Sequence, residues 1–211
     1  MKEEIAAKVA GYLLQSKAIK LEPANPFIWA SGWKSPIYCD NRLTLSYPEV
    51  RRYIKEAFCK IIKAEYPAAE LIAGVATGGI PQGALVAEEL GLPFIYVRAT
   101  PKSHGLENLI EGLVQPGKKV VVIEDLISTG GSSLKAVDAI REAGMIVEGM
   151  CAIFTYGFKI AEESFINKAC KLETLSNYSV LIKQAVQSGY IKEEQLDQLS
   201  KWRLDPANWK S

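Results

Sequence analysis

One stretch of the chain limits its fold more than any other: Val120-Val121-Val122-Ile123-Glu124-Asp125-Leu126-Ile127-Ser128-Thr129-Gly130-Gly131-Ser132-Ser133. A short β-branched run without polar alternation suits a strand covered on both faces. It leads into two acids, then into glycines and hydroxyls that open a helical stretch. Other short apolar runs lie at 71–75, 94–97 and 146–154, and helical patterns separate them at 81–90, 132–143 and 160–168. This alternation predicts an α/β domain, a central mainly parallel sheet flanked by helices and joined by right-handed crossovers. In such sheets ligands settle beyond the carboxyl ends of the strands. The segments starting near Ala76, Arg98 and Glu124 are therefore expected to face one site.

The flanking segments are less regular. The first ~20 residues read as a helix, with Ile5, Val9, Tyr12, Leu13 and Leu14 near the 3.6-residue period. Residues 27–30 and 37–40 read as two extended pieces around a turn, followed by a helix from Tyr47 to Ala64 with Pro48 in its first turn. Residues 172–209 predict one more short strand and two helices. No repeat or low-complexity linker divides the 211 residues, and a single domain is expected.

Charge and cysteine usage exclude several classes. Twenty-five Lys and Arg against 24 Asp and Glu leave a formal charge of +1, which argues against a nucleic-acid partner and against an acidic tail. No window reaches the ~18 apolar residues of a membrane span, so no membrane association is expected. Glu3 and Glu4 stand where a signal peptide carries bases. Cys39, Cys59, Cys151 and Cys170 are far apart with no CxxC, which predicts reduced thiols in a cytoplasmic protein. Cys151, in an apolar run, reads as core. One histidine and no ligand pair argue against a transition-metal site.

The chemistry concentrates after Ile123. Gly130 and Gly131 permit a tight turn and close approach to a ligand. Free N–H groups at the following helix start suit a phosphate, and the hydroxyls of Ser128, Thr129, Ser132 and Ser133 add donors. Two carboxylates beside a phosphate would repel it unless they had another task, such as accepting hydrogen bonds from ribose hydroxyls. The plainer alternative is a strand ending in an acidic helix-capping loop. The GxxxxGK[ST] and GxGxxG patterns are both absent.

The segment resembles the signature that binds 5-phosphoribosyl 1-diphosphate (PRPP) in the type I phosphoribosyltransferases. The resemblance implies that family's fold, with a small N-terminal hood formed mainly by about residues 20–45 plus the C-terminal region. It implies that Glu124 and Asp125 face the ribose hydroxyls, and that the loop from Ser128 to Ser132 cradles the 5-phosphate. Three further segments are similar to those of the orotate phosphoribosyltransferases, in the same order and spacing. Residues 73–81 (Ala-Gly-Val-Ala-Thr-Gly-Gly-Ile-Pro) match the pyrophosphate loop, a turn where that family often has a strained peptide. Residues 96–105, from Tyr96 to Gly105, match the mobile loop, and Ser31 to Arg42 match the hood. The resemblance thus implies PRPP contacts from Thr77, Gly78, Arg98, Lys102, His104, Glu124, Asp125, Leu126, Ile127, Ser128, Thr129, Gly130, Gly131 and Ser132. Catalytic roles fall to Lys102, Asp125 and Glu124, and Ser128 touches orotate.

The loop at 98–105 makes sense in chemical terms. Arg98, Lys102 and His104 bring up to three cationic donors together, and mobile cations closing over a departing diphosphate stabilise its growing charge. Standing alone, it would read as a solvated basic loop. Standing alone, the turn at 76–79 would equally be a Gly-rich connection, and the stretch at 31–42 a hairpin covering a sheet edge rather than a stacking surface for a base.

Three positions depart from the family's pattern: Ala30 and Ala99 where many relatives have basic residues, and Gly157 where many have an arginine that binds the orotate carboxylate. Hood N–H groups, Lys34 and Arg42 are candidates for that carboxylate. The resemblance implies transfer of the phosphoribosyl group from PRPP to N1 of orotate, giving orotidine 5′-monophosphate and diphosphate for pyrimidine biosynthesis. It also implies Mg²⁺ held mainly by PRPP and water, and a homodimer in which residues 98–112 reach the neighbouring site. A purine phosphoribosyltransferase would share only the 124–133 signature. A PRPP-sensing regulator would be expected to lose loop cations or add a DNA-binding module, neither of which is evident.

Overall fold

The computed structural model describes residues 2–29, 32–100 and 109–209. The chain divides into two compact units, residues 1–51 with 176–211 and residues 52–175.

The first unit opens with helix α1 (Lys2–Gln15), which buries Ile5, Val9, Ala10, Leu13 and Leu14. The helix is shorter than the periodicity predicts. Lys17 turns into the left-handed region at φ 56°, and Ile19-Lys20-Leu21 forms strand β1 (Ile19–Leu21), with only its outer two residues buried. Strands β2 (Phe27–Ile28) and β3 (Lys34–Ser35) make a hairpin, while β4 (Ile37–Cys39) pairs antiparallel with β1. The expected turn between 27–30 and 37–40 therefore resolves differently. The second piece leaves the hairpin for β1, because Ile37 and Ile19 are fully buried.

The second unit begins at Arg52, inside helix α2 (Pro48–Glu65), whose Ile54, Phe58, Ile61 and Ile62 keep the helical spacing and are buried. Then follow β5 (Leu71–Val75), α3 (Gly79–Leu90), β6 (Phe94–Val97), β7 (Ile110–Glu111), β8 (Lys119–Ile127), α4 (Gly131–Glu142), β9 (Ile146–Thr155), α5 (Lys159–Asn167) and β10 (Leu172–Asn177). The sheet runs β10-β9-β8-β5-β6-β7. Strands β6, β5, β8 and β9 are mutually parallel, and β7 pairs antiparallel with β6. Leu71, Ala73, Val120, Val122, Met150 and Ala152 form the layer over which Val137, Ile140 and Phe165 of α4 and α5 pack. The expected α/β layering with a mainly parallel sheet is what forms, and Cys151 is core. Burial pushes the thiols of Cys59 and Cys170 up to about 11, and all four cysteines remain thiols.

The last residues return to the first unit as α6 (Tyr178–Gln187) and α7 (Leu196–Leu204). Asn177 caps α6 by accepting from the Val180 N–H at 3.1 Å. Trp202 of α7 is fully buried, with Trp29 edge-on at 5.6 Å, and the Trp29 indole donates to the Ile37 carbonyl. Among the described residues no helix is long and apolar enough to cross a membrane.

Candidate functional site

From β5 the chain crosses by α3 to β6 on one side; from β8 it crosses by α4 to β9 on the other. The strand order therefore reverses between β5 and β8, and open parallel sheets bind ligands at such a switch point. The two segments that leave these strand ends are residues 76–78 and 128–130. Both are among the sequence-derived candidates, and the topology alone brings them together.

Glycines let them interlock. A Cβ at Gly79 would strike the Ile123 carbonyl oxygen, and one at Gly74 would lie 2.8 Å from the Gly79 carbonyl oxygen. At Gly83 it would lie 2.7 Å from the Phe94 ring, so the spacing of glycines at 74, 79 and 83 lets α3 lie close to the sheet. Helix α3 starts at Gly79, two residues before the expected Pro81, which is tolerated because first-turn N–H groups have no intrahelical partner. The Ala76–Thr77 peptide is cis, Thr77 is exposed and Gly78 is buried.

The acids lie on the strand, not after it. β8 continues to Ile127 in register with β9, pairing Glu124 with Ala152 and Ile127 with Thr155. The two acids are consecutive on the strand, and their carboxyls lie close enough to interact. Asp125 is half-buried, and its carboxylate packs on the Cα of Gly78. Glu124 is only 5% exposed. Its Oε1 accepts from the Asp125 N–H and its Oε2 from the Ser133 hydroxyl, both at 2.9 Å. Burial, and then the adjacent Asp125 carboxyl, raise Glu124 well above the ordinary carboxylate range.

The loop that follows meets α4 through Gly130, which is at φ 83° and gives the helix no side-chain cap. Its first-turn N–H groups thus face outward at exposed Gly131 and Ser132, an arrangement suited to an anion. Thr129 is exposed and Ser128 partly so. Ser133 differs from the sequence expectation: it is 1% exposed, and its hydroxyl is turned inward to Glu124, not outward as a phosphate donor. No pattern in the sequence announces that bond, since it depends on how α4 returns across β8. Leu126 and Ile127 are the last residues of β8, Leu126 partly exposed and Ile127 buried.

Arg98 follows the carboxyl end of β6, which runs parallel to β5 and β8. Its N–H donates to the Leu109 carbonyl and its guanidinium lies 3.5 Å from Glu111. Lys102 and His104 lie outside the described residues, as does Ala30. At the end of β9, Gly157 takes φ 65° and donates its N–H to the Thr155 hydroxyl at 3.0 Å. Tyr156 is buried and stacks on Phe158 at 5.3 Å. Aromatic packing thus occupies the segment where an arginine was expected to be missing. In the other unit, the Arg42 guanidinium is held bidentately by Asp40, at 2.6 and 2.9 Å, whereas Lys34 is exposed. A cleft of about 740 Å³ between α5 and β10 is lined largely by apolar groups such as Phe165, Ile166 and Leu172, which suits no phosphate.

Comparison with known proteins agrees with this geometry. Residues 44–182 match the phosphoribosyl transferase domain family. The chain is 62% identical over 199 residues to the orotate phosphoribosyltransferase of Phocaeicola vulgatus, covering 94% of each chain. It is 58% identical to that of Cytophaga hutchinsonii, covering 96% of this chain and 97% of the other. The crystal structure of the orotate phosphoribosyltransferase from Aeropyrum pernix superposes with a TM-score of 0.74 at 25% identity, covering 87% of this chain and 99% of that one.

Proposed function

The chain belongs to the orotate phosphoribosyltransferases of the phosphoribosyl transferase domain family, and from that premise we propose that it transfers the phosphoribosyl group of PRPP to N1 of orotate. The products are orotidine 5′-monophosphate and diphosphate, a step of pyrimidine biosynthesis. The observation that carries the reading is the interlocking of the 76–78 turn with Asp125 at the switch point of the sheet.

In this reading the exposed N–H groups at the start of α4 and the hydroxyls of Ser128, Thr129 and Ser132 hold the 5-phosphate. Glu124 and Asp125 accept from the ribose hydroxyls. The Thr77–Gly78 turn and Arg98 meet the diphosphate, and Ser128 touches the base. Orotate N1 attacks C1 of the ribose with inversion as the C1–O bond to diphosphate breaks. Charge gathers on the leaving group, and Lys102 and His104 neutralise it while excluding water. Catalysis by these residues is positioning and charge stabilisation, with no covalent intermediate.

The donor set fits Mg²⁺ supplied with the substrate. Among the described residues no three acidic, histidine or cysteine side chains converge. Mg²⁺ keeps several waters and takes substrate phosphate oxygens, so bound PRPP and water supply most of its ligands. When bound it would neutralise the diphosphate. We further propose a cytoplasmic homodimer in which residues 98–112 serve the neighbouring site. The family likeness of that segment supports the sharing, and four cysteines kept as thiols support the compartment.

The test is spectrophotometric: orotate consumption with PRPP and Mg²⁺, with and without chelator, and in competition with adenine and hypoxanthine. Orotate-selective turnover that chelator abolishes is the expected result. Turnover of a purine base in place of orotate would overturn the assignment.

A further inference from the structure

We propose that Ser133 is a positioning residue of the PRPP site, its buried hydroxyl fixing the Glu124 carboxyl that faces the ribose. This rests on the proposed function, and Ser133 acts through Glu124 without touching the substrate.

Ser133 is 1% exposed, one residue beyond the exposed Gly131–Ser132 pair, so it is turned from any bound phosphate. Its Oγ donates to Glu124 Oε2 at 2.9 Å. The other carboxyl oxygen accepts from the Asp125 N–H, also at 2.9 Å. That second bond, like the contact with the Asp125 carboxyl, is local to β8. The bond from Ser133 comes from a different element and ties the acid to the same helix whose N-terminus opens the phosphate loop. The acid and that loop are thereby held in one geometry, which a site that must orient a sugar phosphate requires.

The electrostatics support the same role. The titratable group facing Glu124 from its own strand is Asp125. The neighbouring strands present Ala152 of β9 opposite Glu124 and Gly74 of β5 opposite Ile123. The first turns of α3 and α4 carry no acid. Burial and Asp125 favour the protonated form of Glu124; the Ser133 hydroxyl and the Asp125 N–H favour the carboxylate. A carboxylate held this way keeps lone pairs for two ribose hydroxyls, whereas a protonated carboxyl loses acceptor capacity.

The experiment measures PRPP affinity by calorimetry, kcat and KM for both substrates, and the pH dependence of kcat/KM for PRPP, with thermal midpoint as the folding control. The variants are Ser133→Ala, Ser133→Thr, Ser133→Cys, Glu124→Gln and the Glu124→Gln/Ser133→Ala double variant. Ser133→Ala is expected to weaken PRPP about tenfold, the scale of one hydrogen bond to a charged group, with KM for orotate unchanged. Its acid limb should move to higher pH. Ser133→Thr should restore both properties, and Ser133→Cys, of similar volume but a weaker donor, should fall between. In the Glu124→Gln background, Ser133→Ala should have no further effect. Wild-type affinity and acid limb in Ser133→Ala, or the same loss in both backgrounds, would overturn the positioning role. A wild-type enzyme that binds no PRPP would instead overturn the functional reading itself, and the role with it.

Discussion

The carboxylate of Asp125 rests on the α-carbon of Gly78, so closely that any side chain at 78 would overlap its oxygens. Asp125 comes from β8 and Gly78 from the turn after β5, so one contact locks together the two loops that flank the switch point. Gly78→Ala must displace the acid or the turn. Displacements of about 1 Å in a positioning site cost on the order of 10²-fold in rate. We therefore expect kcat/KM for PRPP to fall about 10²-fold, with the thermal midpoint little changed. A kinetically normal Gly78→Ala enzyme would show that the contact is dispensable.

Glu124 gives a stability effect whose sign is fixed by its burial. Its folded pKa is raised above the ordinary 4.5, so the folded state binds the proton more tightly than the unfolded chain. Below 4.5 both states are protonated and no penalty applies. As pH rises from there through the raised folded value, stability is lost. Glu124→Gln removes the titration, and should therefore melt higher than the parent at pH 8, with the gap closing toward pH 4. The scale is about 2–4 °C for each kcal/mol of relieved penalty, and melting curves across that pH range measure it. PRPP turnover should fall in the same variant, since the amide presents a donor where the ribose needs an acceptor.

Much of this was legible in the sequence, for physical reasons that differ by element. The runs at 71–75 and 120–123 are strands because nothing but burial on both faces explains an unbroken apolar run, whereas the close approach that the glycines at 74, 78 and 79 permit emerges only from the packing. The N-terminal boundaries were not legible. Strand β1 is three residues long, too short for a period-two signal, and β4 chooses β1 over the hairpin through tertiary burial of Ile19 and Ile37. In the sequence the acids follow the strand, because polarity at 124–125 looks like an end. In fact β9 runs alongside to Thr155 and keeps β8 extended. In the sequence Ser133 groups with the outward hydroxyls, because the pattern does not fix helix phase at a loop exit to one residue.

Gly130 tests the phosphate loop separately from the acids. It holds φ 83°, and a Cβ there would approach the Phe165 ring to 2.9 Å. A side chain in the left-handed region costs about 1–2 kcal/mol, and the ring contact adds to it. Gly130→Ala is expected to lower the thermal midpoint by several degrees and to weaken PRPP at least tenfold, roughly the value of the first-turn N–H groups it misaligns. Orotate binding measured without PRPP should be untouched. Equal losses for both ligands would point to general unfolding, not to a loop that serves the phosphate.

Sharing of residues 98–112 between subunits makes a prediction that neither subunit can satisfy alone. Lys102→Ala should cut kcat by two or more orders of magnitude with PRPP affinity largely retained, because the lysine's charge matters most as the diphosphate departs. Asp125→Asn should fail through the ribose instead. Subunits carrying one change each, mixed and allowed to exchange, would form heterodimers in which one site takes both defects and the other takes neither. Random pairing makes half of the dimers mixed, and each mixed dimer has one intact site of two. Activity should therefore recover to about a quarter of wild type, an expectation from the complementation of independent sites. Recovery needs the loop to act across the interface; with a loop serving its own subunit, every site in the mixture carries one defect. No recovery after exchange is verified by mass spectrometry would place residues 98–112 over their own site.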